Sequence, residues 1–155
     1  MGTITFNAPF VNSGTLQYSV DGVPVNKAVQ RELLKYDDYN GTFVALANLA
    51  VAGCTNPASN GTVTGLIGLQ IVQNGTAMTV RWAFSDGSTC SHAGTYGQAG
   101  RVGQYSGAYV CSAGETGTMT FFEMTNRVRM LSGRVQGQST NLGCSYSGQF
   151  TGLAP

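Results

Sequence analysis

The positions of four cysteines along a regular series of strand-like segments constrain the fold of this chain more than any other feature. From residue 40 onward, segments of strand character follow one another without a helical period, and Gly, Asn-Gly or Asp-Gly stands between them. The predicted strands span residues 41–52, 62–73, 76–85, 89–98, 103–112, 117–125, 127–136 and 144–152. In an antiparallel meander, Cys54, Cys90, Cys111 and Cys144 all lie at one end of the sheet, the upper end.

Eight sequential antiparallel strands predict an all-β fold, an eight-stranded up-and-down barrel over residues 40–155. Closure is favoured because it removes both edges of the sheet, where backbone groups would be unpaired. A two-sheet sandwich built from the same strands is the alternative. Asn74-Gly75 predicts a tight hairpin, and Asn126 is the expected turn residue between the sixth and seventh strands.

The register of the fourth and fifth strands predicts how the cysteines pair. A hairpin centred near Gly100 places Cys90 directly opposite Cys111, within the range that a disulfide requires. Cys54 and Cys144 lie on the first and last strands, which are neighbours only in a closed barrel. Four cysteines allow three pairings, of which we predict Cys90–Cys111 and Cys54–Cys144. The spacing fits no structural zinc site, so we predict neither a metal nor a cofactor.

Residues 1–39 are predicted to form an N-terminal β-hairpin extension, a ribbon followed by a linker. Two strand-like segments, 14–20 and 23–25, flank the turn dipeptide Asp21-Gly22. Residues 31–39 have helix-like character. Because so small a ribbon is not stable alone, we expect it to pack on the barrel, on an upstream domain or on a second copy of the chain.

Composition excludes several classes of partner. Charged residues make up 10% of the chain and the net charge is +1, so no basic surface for nucleic acid is indicated. No apolar run approaches the ~20 residues of a membrane-spanning helix. Four cysteines in a chain whose only lysines are Lys27 and Lys35 favour an oxidising compartment. We therefore predict a secreted or periplasmic protein.

The same strand register gathers aromatic side chains on one face. The set comprises Trp82, His92, Tyr96, Tyr105 and Tyr109. If this face points inward, it lines a pocket for a small apolar or aromatic ligand, with Asn56, Asp86 and Asn141 on the rim. The alternative is that these rings fill a solid barrel.

Signatures of catalysis are missing from the sequence. There is no nucleophile elbow, phosphate-binding loop or dinucleotide fingerprint. The candidate acid–base groups are His92, Tyr109 and Glu123. A lone histidine near a strand end is usually structural. Glu123 lies among large apolar residues, so it is expected to form an ion pair with a neighbouring arginine or to act as an acid of raised pKa in a pocket.

Two resemblances bear on fold and location. The meander resembles the calycin group of lipocalin- and avidin-like barrels, in which Gly-x-Trp opens the first strand; Gly41-Thr42-Phe43 stands at that place here. This resemblance implies a cavity mouth at the upper end, formed by loops 53–61, 86–89, 112–116 and 137–143.

Several runs are similar to C-terminal β-domains of uncharacterised exported proteobacterial proteins. They are residues 14–31, 54–57 (CTNP), 94–101 (GTYGQAGR) and 122–124 (FEM). This resemblance implies export and upstream repeats, and it implies no known activity.

Three functions therefore follow from the sequence. The first is a secreted barrel that binds a small apolar or aromatic ligand in its interior. The second is a solid, non-catalytic module for interaction with protein or glycan, or for adhesion. The third is a small isomerase or cyclase that uses a His, Tyr or Glu group. The missing catalytic signature favours binding over catalysis.

Overall fold

A computed structural model describes residues 3–10, 13–30 and 36–155. The chain divides into two compact units, residues 1–36 and residues 37–155, which are described separately below.

The first unit is a three-stranded antiparallel sheet. Its strands are β1 (Ile4–Phe10), β2 (Ser13–Val20) and β3 (Val23–Gln30), in the order β1-β2-β3. Asp21 and Gly22 have positive φ angles of 52° and 80°, as a two-residue hairpin turn requires, so the predicted hairpin is confirmed. The helix predicted over residues 31–39 falls partly outside the described residues, and residues 36–39 have no regular structure.

The second unit is a closed barrel of eight antiparallel strands. They are β4 (Gly41–Ala52), β5 (Gly61–Asn74), β6 (Ala77–Phe84), β7 (Thr89–Ala99), β8 (Val102–Cys111), β9 (Thr116–Arg127), β10 (Met130–Ser139) and β11 (Ser145–Leu153). Each strand pairs with its neighbours in sequence, and β11 pairs with β4. The predicted all-β, eight-stranded barrel is confirmed, and the sandwich alternative is wrong.

Alternation of side chains along the strands places the core inside the barrel. On β4, Phe43, Ala45 and Ala47 are buried, whereas Val44 and Leu46 between them are exposed. This period of two is the property of a sheet with one covered face. The upper end, where β4 ends, carries a single 3-10 turn at Pro57–Ser59.

The turn between β9 and β10 differs from the prediction. Asn126 remains in strand β9, opposite Leu131, and the turn is formed by Val128 and Arg129. Both turn residues have positive φ, 39° and 75°, an uncommon conformation for residues with a side chain. The side-chain amide of Asn126 donates to the carbonyl of Asp38 at 2.6 Å.

Both predicted disulfides are present. Cys90 of β7 is bonded to Cys111, directly opposite on β8. Cys54 is bonded to Cys144, and this bridge joins the ends of the first and last barrel strands. The Cys54–Cys144 disulfide therefore links the same two strands, β4 and β11, whose pairing closes the barrel.

Candidate functional site

The five side chains predicted to line a pocket all lie inside the barrel. They come from three consecutive strands, and each is at most 3% exposed: Trp82, His92, Tyr96, Tyr105 and Tyr109. His92 lies opposite Tyr109, and Tyr96 lies opposite Tyr105, as the predicted register requires. Trp82 lies beside His92, with 5.5 Å between the ring centroids.

Phe121 of β9 occupies the centre of this group, although it is not part of the predicted pocket. Its ring centroid lies 5.8 Å from those of Trp82 and His92, and 5.2 Å from that of Tyr105. On its other side Phe150 approaches at 5.5 Å. These are contact distances for aromatic rings, so the interior is packed ring against ring at this level. The buried aromatic cluster is compatible with ligand binding, and the open cavity stays a prediction.

Inward-facing glycines make room for the rings. A Cβ atom on Gly103 would stand 2.7 Å from the Tyr96 ring, and one on Gly117 would stand 2.7 Å from the Tyr109 ring. Each tyrosine ring therefore lies over a position that has no side chain. A larger residue at Gly103 would displace the Tyr96 ring, and one at Gly117 would clash with the backbone carbonyl of Gln138 as well as with the Tyr109 ring.

Tyr39 closes the lower end of the barrel. It is fully buried, its hydroxyl donates to the carbonyl of Met124 at 2.8 Å, and its ring lies 5.4 Å from that of Tyr96. The sequence assigns this residue to the linker. The structure groups residues 37–39 with the barrel instead, because one buried aromatic ring anchors the segment.

A carboxylate holds two tyrosines together at the upper end. Glu115 Oε1 accepts hydrogen bonds from the hydroxyls of Tyr109 and Tyr146, each at 2.6 Å. Neither Glu115 nor Tyr146 is among the site residues predicted from the sequence. Tyr146 could have been found from its inward position on the last strand, whereas Glu115 lies just before a strand and follows no period.

These contacts keep the two tyrosines protonated. Burial, then the hydrogen bond to Glu115, raises the pKa of Tyr109 well above its usual value. The same causes in the same order raise the pKa of Tyr146 to about 12. Both hydroxyls act as hydrogen-bond donors to the carboxylate at neutral pH.

His92 is buried without a hydrogen-bond partner among the described residues. Both imidazole nitrogens of His92 lack a partner among these residues, and so do Trp82 Nε1 and the Tyr105 hydroxyl. Burial lowers the pKa of His92 to about 4 and raises that of Tyr105 to about 12. At neutral pH the interior around Phe121 therefore carries no charge and several unpaired polar atoms.

The three candidate acid–base groups do not come together. His92 and Tyr109 are neighbours, with ring centroids 5.3 Å apart. Glu123 is exposed and lies 3.8 Å from Arg134, so it forms an ion pair and does not line an interior pocket. A bulge explains its position: Glu123 has a φ of 54°, and the register of β9 against β10 shifts at this point.

The predicted rim residues lie in upper-end loops; Asn56 and Asp86 bond within their own turns, and Asn141 bonds to the neighbouring loop that precedes β9. Asn56 accepts from the amide of Ala58 at 3.1 Å. Asp86 accepts from the amide and hydroxyl of Ser88, and these hydrogen bonds lower its pKa. Asn141 accepts from the amide of Thr116 at 3.1 Å and donates to the carbonyl of Gly114 at 3.0 Å. Their polar groups stabilise the loops.

A polar groove runs across the outer face of strands β4, β11, β10 and β9. It consists of two adjoining depressions of about 470 and 340 Å³, which share Ala50, Gln136 and Ser147. Its walls are mainly amide and hydroxyl side chains: Asn48, Thr118, Thr120, Gln136, Gln138, Ser145, Ser147 and Gln149. We call this surface the outer groove. None of these groove residues is among the site residues predicted from the sequence.

Cross-strand register arranges the groove in rows. In the middle row, Ala50 lies opposite Ser147, Ser147 opposite Gln136, and Gln136 opposite Thr120. The small Ala50 and Ser147 side chains leave the depression, and the longer glutamine borders it. The arrangement offers donors and acceptors in a fixed array.

No protein-family model matches this chain, and no curated protein and no solved structure is significantly similar to it. Within residues 3–10, 13–30 and 36–155, no helix has the length and apolar character needed to cross a membrane. The described residues also bring no three His, Cys, Asp or Glu side chains together as a metal-binding group.

Proposed function

We propose that this protein is an exported, non-catalytic binding module that recognises a neutral glycan through the outer groove. The observation that carries the proposal is the contrast between an interior packed around Phe121 and a concave outer surface lined by uncharged amides and hydroxyls. Export is supported by the two disulfides, which persist in oxidising compartments.

The chemistry of the groove suits sugar hydroxyls. Each glutamine or asparagine side chain both donates and accepts, as does each serine or threonine hydroxyl, so the array matches a partner with many hydroxyl groups. The combined size of the two depressions lies within the range of ligand sites in proteins.

Charge also argues for a neutral partner. Arg134 is the charged residue that lines the groove, and its guanidinium lies 3.8 Å from Glu123 and 5.2 Å from the centre of the Phe122 ring. The ion pair neutralises this end of the groove. The guanidinium of Arg134 lies over the Phe122 ring, and these two flat groups offer a planar wall against which the face of a sugar ring can pack.

A protein partner fits the groove less well. Binding energy between proteins is concentrated in large anchors such as Trp, Tyr and Arg set in apolar surroundings. The rows of the groove are instead made of small and medium polar side chains. Of the larger residues at its borders, Phe122 and Tyr146 are half-buried and Arg134 is already paired with Glu123.

The test is a binding titration with neutral oligosaccharides. Maltohexaose, cellohexaose and chitohexaose are titrated into the protein by calorimetry, and the groove is blocked by Ser147→Trp. We expect one of the sugars to bind and Ser147→Trp to weaken it at least ~10-fold, equivalent to about 1.4 kcal/mol. The matched control is Gln70→Trp, an exposed outward position on β5 outside the groove, for which we expect no change.

Two results would contradict the proposal. One is the absence of binding to all three sugars and to a wider array of neutral glycans. The other is binding that Gln70→Trp weakens as much as Ser147→Trp does, because the site would then lie elsewhere on the barrel. Circular dichroism and intact mass of both variants verify folding and disulfide formation.

A further inference from the structure

The barrel interior carries a polar site that is separate from the outer groove. Trp82, His92 and Tyr105 belong to adjacent strands, and the rings of all three contact Phe121. Four of their polar atoms have no partner among the described residues: Trp82 Nε1, both His92 nitrogens and the Tyr105 hydroxyl. Unpaired buried polar groups are rare in folded proteins, so a cluster of four calls for a physical cause.

The backbone places these three residues at inward positions of adjacent strands. The Tyr105 hydroxyl lies against Gly107, which is two residues further along β8. Gly107 is the inward position between Tyr105 and Tyr109, so the hydroxyl reaches towards the pair His92–Tyr109. His92 in turn lies beside Trp82, with 5.5 Å between ring centroids. The rings that carry the three polar groups thus all lie beside Phe121.

The donors and acceptors define what such a site accepts. The indole nitrogen only donates, the neutral imidazole donates at one nitrogen and accepts at the other, and the tyrosine hydroxyl does both. A bound molecule must therefore both accept and donate hydrogen bonds. Among the described residues no carboxylate and no cationic side chain borders Phe121, so an ion would have no counter-charge there.

The site admits only a very small molecule. The centroids of the four surrounding rings lie 5.2–5.8 Å from the centroid of the Phe121 ring. Tyr39 is buried at the lower end, and Glu115 joins Tyr109 to Tyr146 at the upper end. A guest enclosed in this way is on the scale of water, which needs two to four polar partners to be held.

We infer that Trp82, His92 and Tyr105 form a closed hydration site in the barrel, which holds one or two long-lived water molecules. These waters complete the hydrogen bonds of the three side chains. His92 serves there as a neutral donor and acceptor. The inference does not depend on the outer groove.

Nuclear magnetic resonance tests the site directly, since the chain has one Trp and one His and their side-chain signals need no further assignment. The measurement is magnetisation transfer from water to the Trp82 indole proton and to the His92 ring protons. We expect cross-peaks whose sign reports a water residence time beyond the nanosecond range. We also expect Tyr105→Phe to weaken these cross-peaks and to lower the midpoint of thermal unfolding.

Tyr146→Phe is the matched reference, because it removes a hydroxyl whose partner, Glu115, is known. If Tyr105 is bonded to water, its replacement lowers the midpoint as Tyr146→Phe does, whereas an unpaired hydroxyl gives an unchanged or higher midpoint. Absence of water cross-peaks at both rings, or a midpoint that Tyr105→Phe leaves unchanged or raises, would overturn the inference. So would native mass spectrometry that finds a retained organic molecule, since the guest would then be a ligand.

Discussion

The barrel and the three-stranded sheet are built from the same kind of strand, yet only the barrel has a core. Residues 3–9 and 13–30 of the sheet contain no buried side chain, and large apolar residues are exposed there: Ile4, Phe6, Val20 and Val23. In the barrel, every strand from β4 to β11 contributes buried residues. An alternating strand has two faces in either setting, but a closed sheet turns one of them away from water. Closure, more than strand composition, separates the two units.

The largest expected effect concerns the covalent part of closure. Replacing both Cys54 and Cys144 by Ser is expected to lower the free energy of unfolding by roughly 4–5 kcal/mol, because the bridge spans a sequence separation of 90. Chemical denaturation of the barrel measures the loss.

The second disulfide supplies the control for this prediction. Replacing Cys90 and Cys111 by Ser opens a loop with a sequence separation of 21, for which we expect about 3 kcal/mol. If removing Cys90–Cys111 lowered the free energy of unfolding more than removing Cys54–Cys144, the stabilisation by Cys54–Cys144 would not come from closing the barrel.

The next expected difference between the units is that the stability of the barrel decreases in acid through His92. Burial lowers the pKa of His92 from 6.5 to about 4, so the unfolded chain binds a proton in this range that the folded barrel does not bind. The free energy of unfolding is therefore not reduced by this titration above pH 6.5, and it decreases as the pH falls from 6.5 towards 4. The expected decrease is about 3 kcal/mol, measured by denaturation at a series of pH values.

His92→Phe separates this effect from the titration of the carboxylates. The variant keeps a ring at the position and should lose the part of the pH dependence that lies between 6.5 and 4. An identical acid response in the variant would contradict the assignment to His92. The amide signals of β1–β3 should not follow this titration, because the sheet contains no histidine.

The smallest expected effect is a difference in local opening. Amide protons of β1 and β3, the two edges of an open sheet, should exchange with solvent roughly 10–100-fold faster than those of β7 and β8 inside the barrel wall. Hydrogen exchange followed by mass spectrometry of peptides checks this. Equal protection in both units would contradict the comparison, because the sheet would then have a covered face.

Much of the barrel could be predicted because its signals are local. Period-two alternation and Asn-Gly or Asp-Gly turns give the strands, and one hairpin register is enough to place Cys90 opposite Cys111 and His92 opposite Tyr109. The pairing of Cys54 with Cys144 then follows from closure.

The rest depends on features that have no period. Regular alternation from Phe121 turns Glu123 inward, but the bulge at Glu123 exposes it and buries Met124. Tyr39 lies in a segment without regular structure, and its burial depends on contacts with Met124 and Tyr96 that are distant in sequence. The outer groove depends on which side chains meet across four strands, which requires every register at once.

The Cys54–Cys144 bond also makes residues 54–144 a covalent ring, because it links the two ends of that stretch. Cutting the peptide chain once anywhere within the ring, for example in a loop between barrel strands, leaves a single molecule whose pieces remain attached. A protease that reaches one such loop would therefore nick the protein without releasing a fragment until the disulfides are reduced. The way the barrel is closed therefore makes the molecule tolerant of a single cut in its chain.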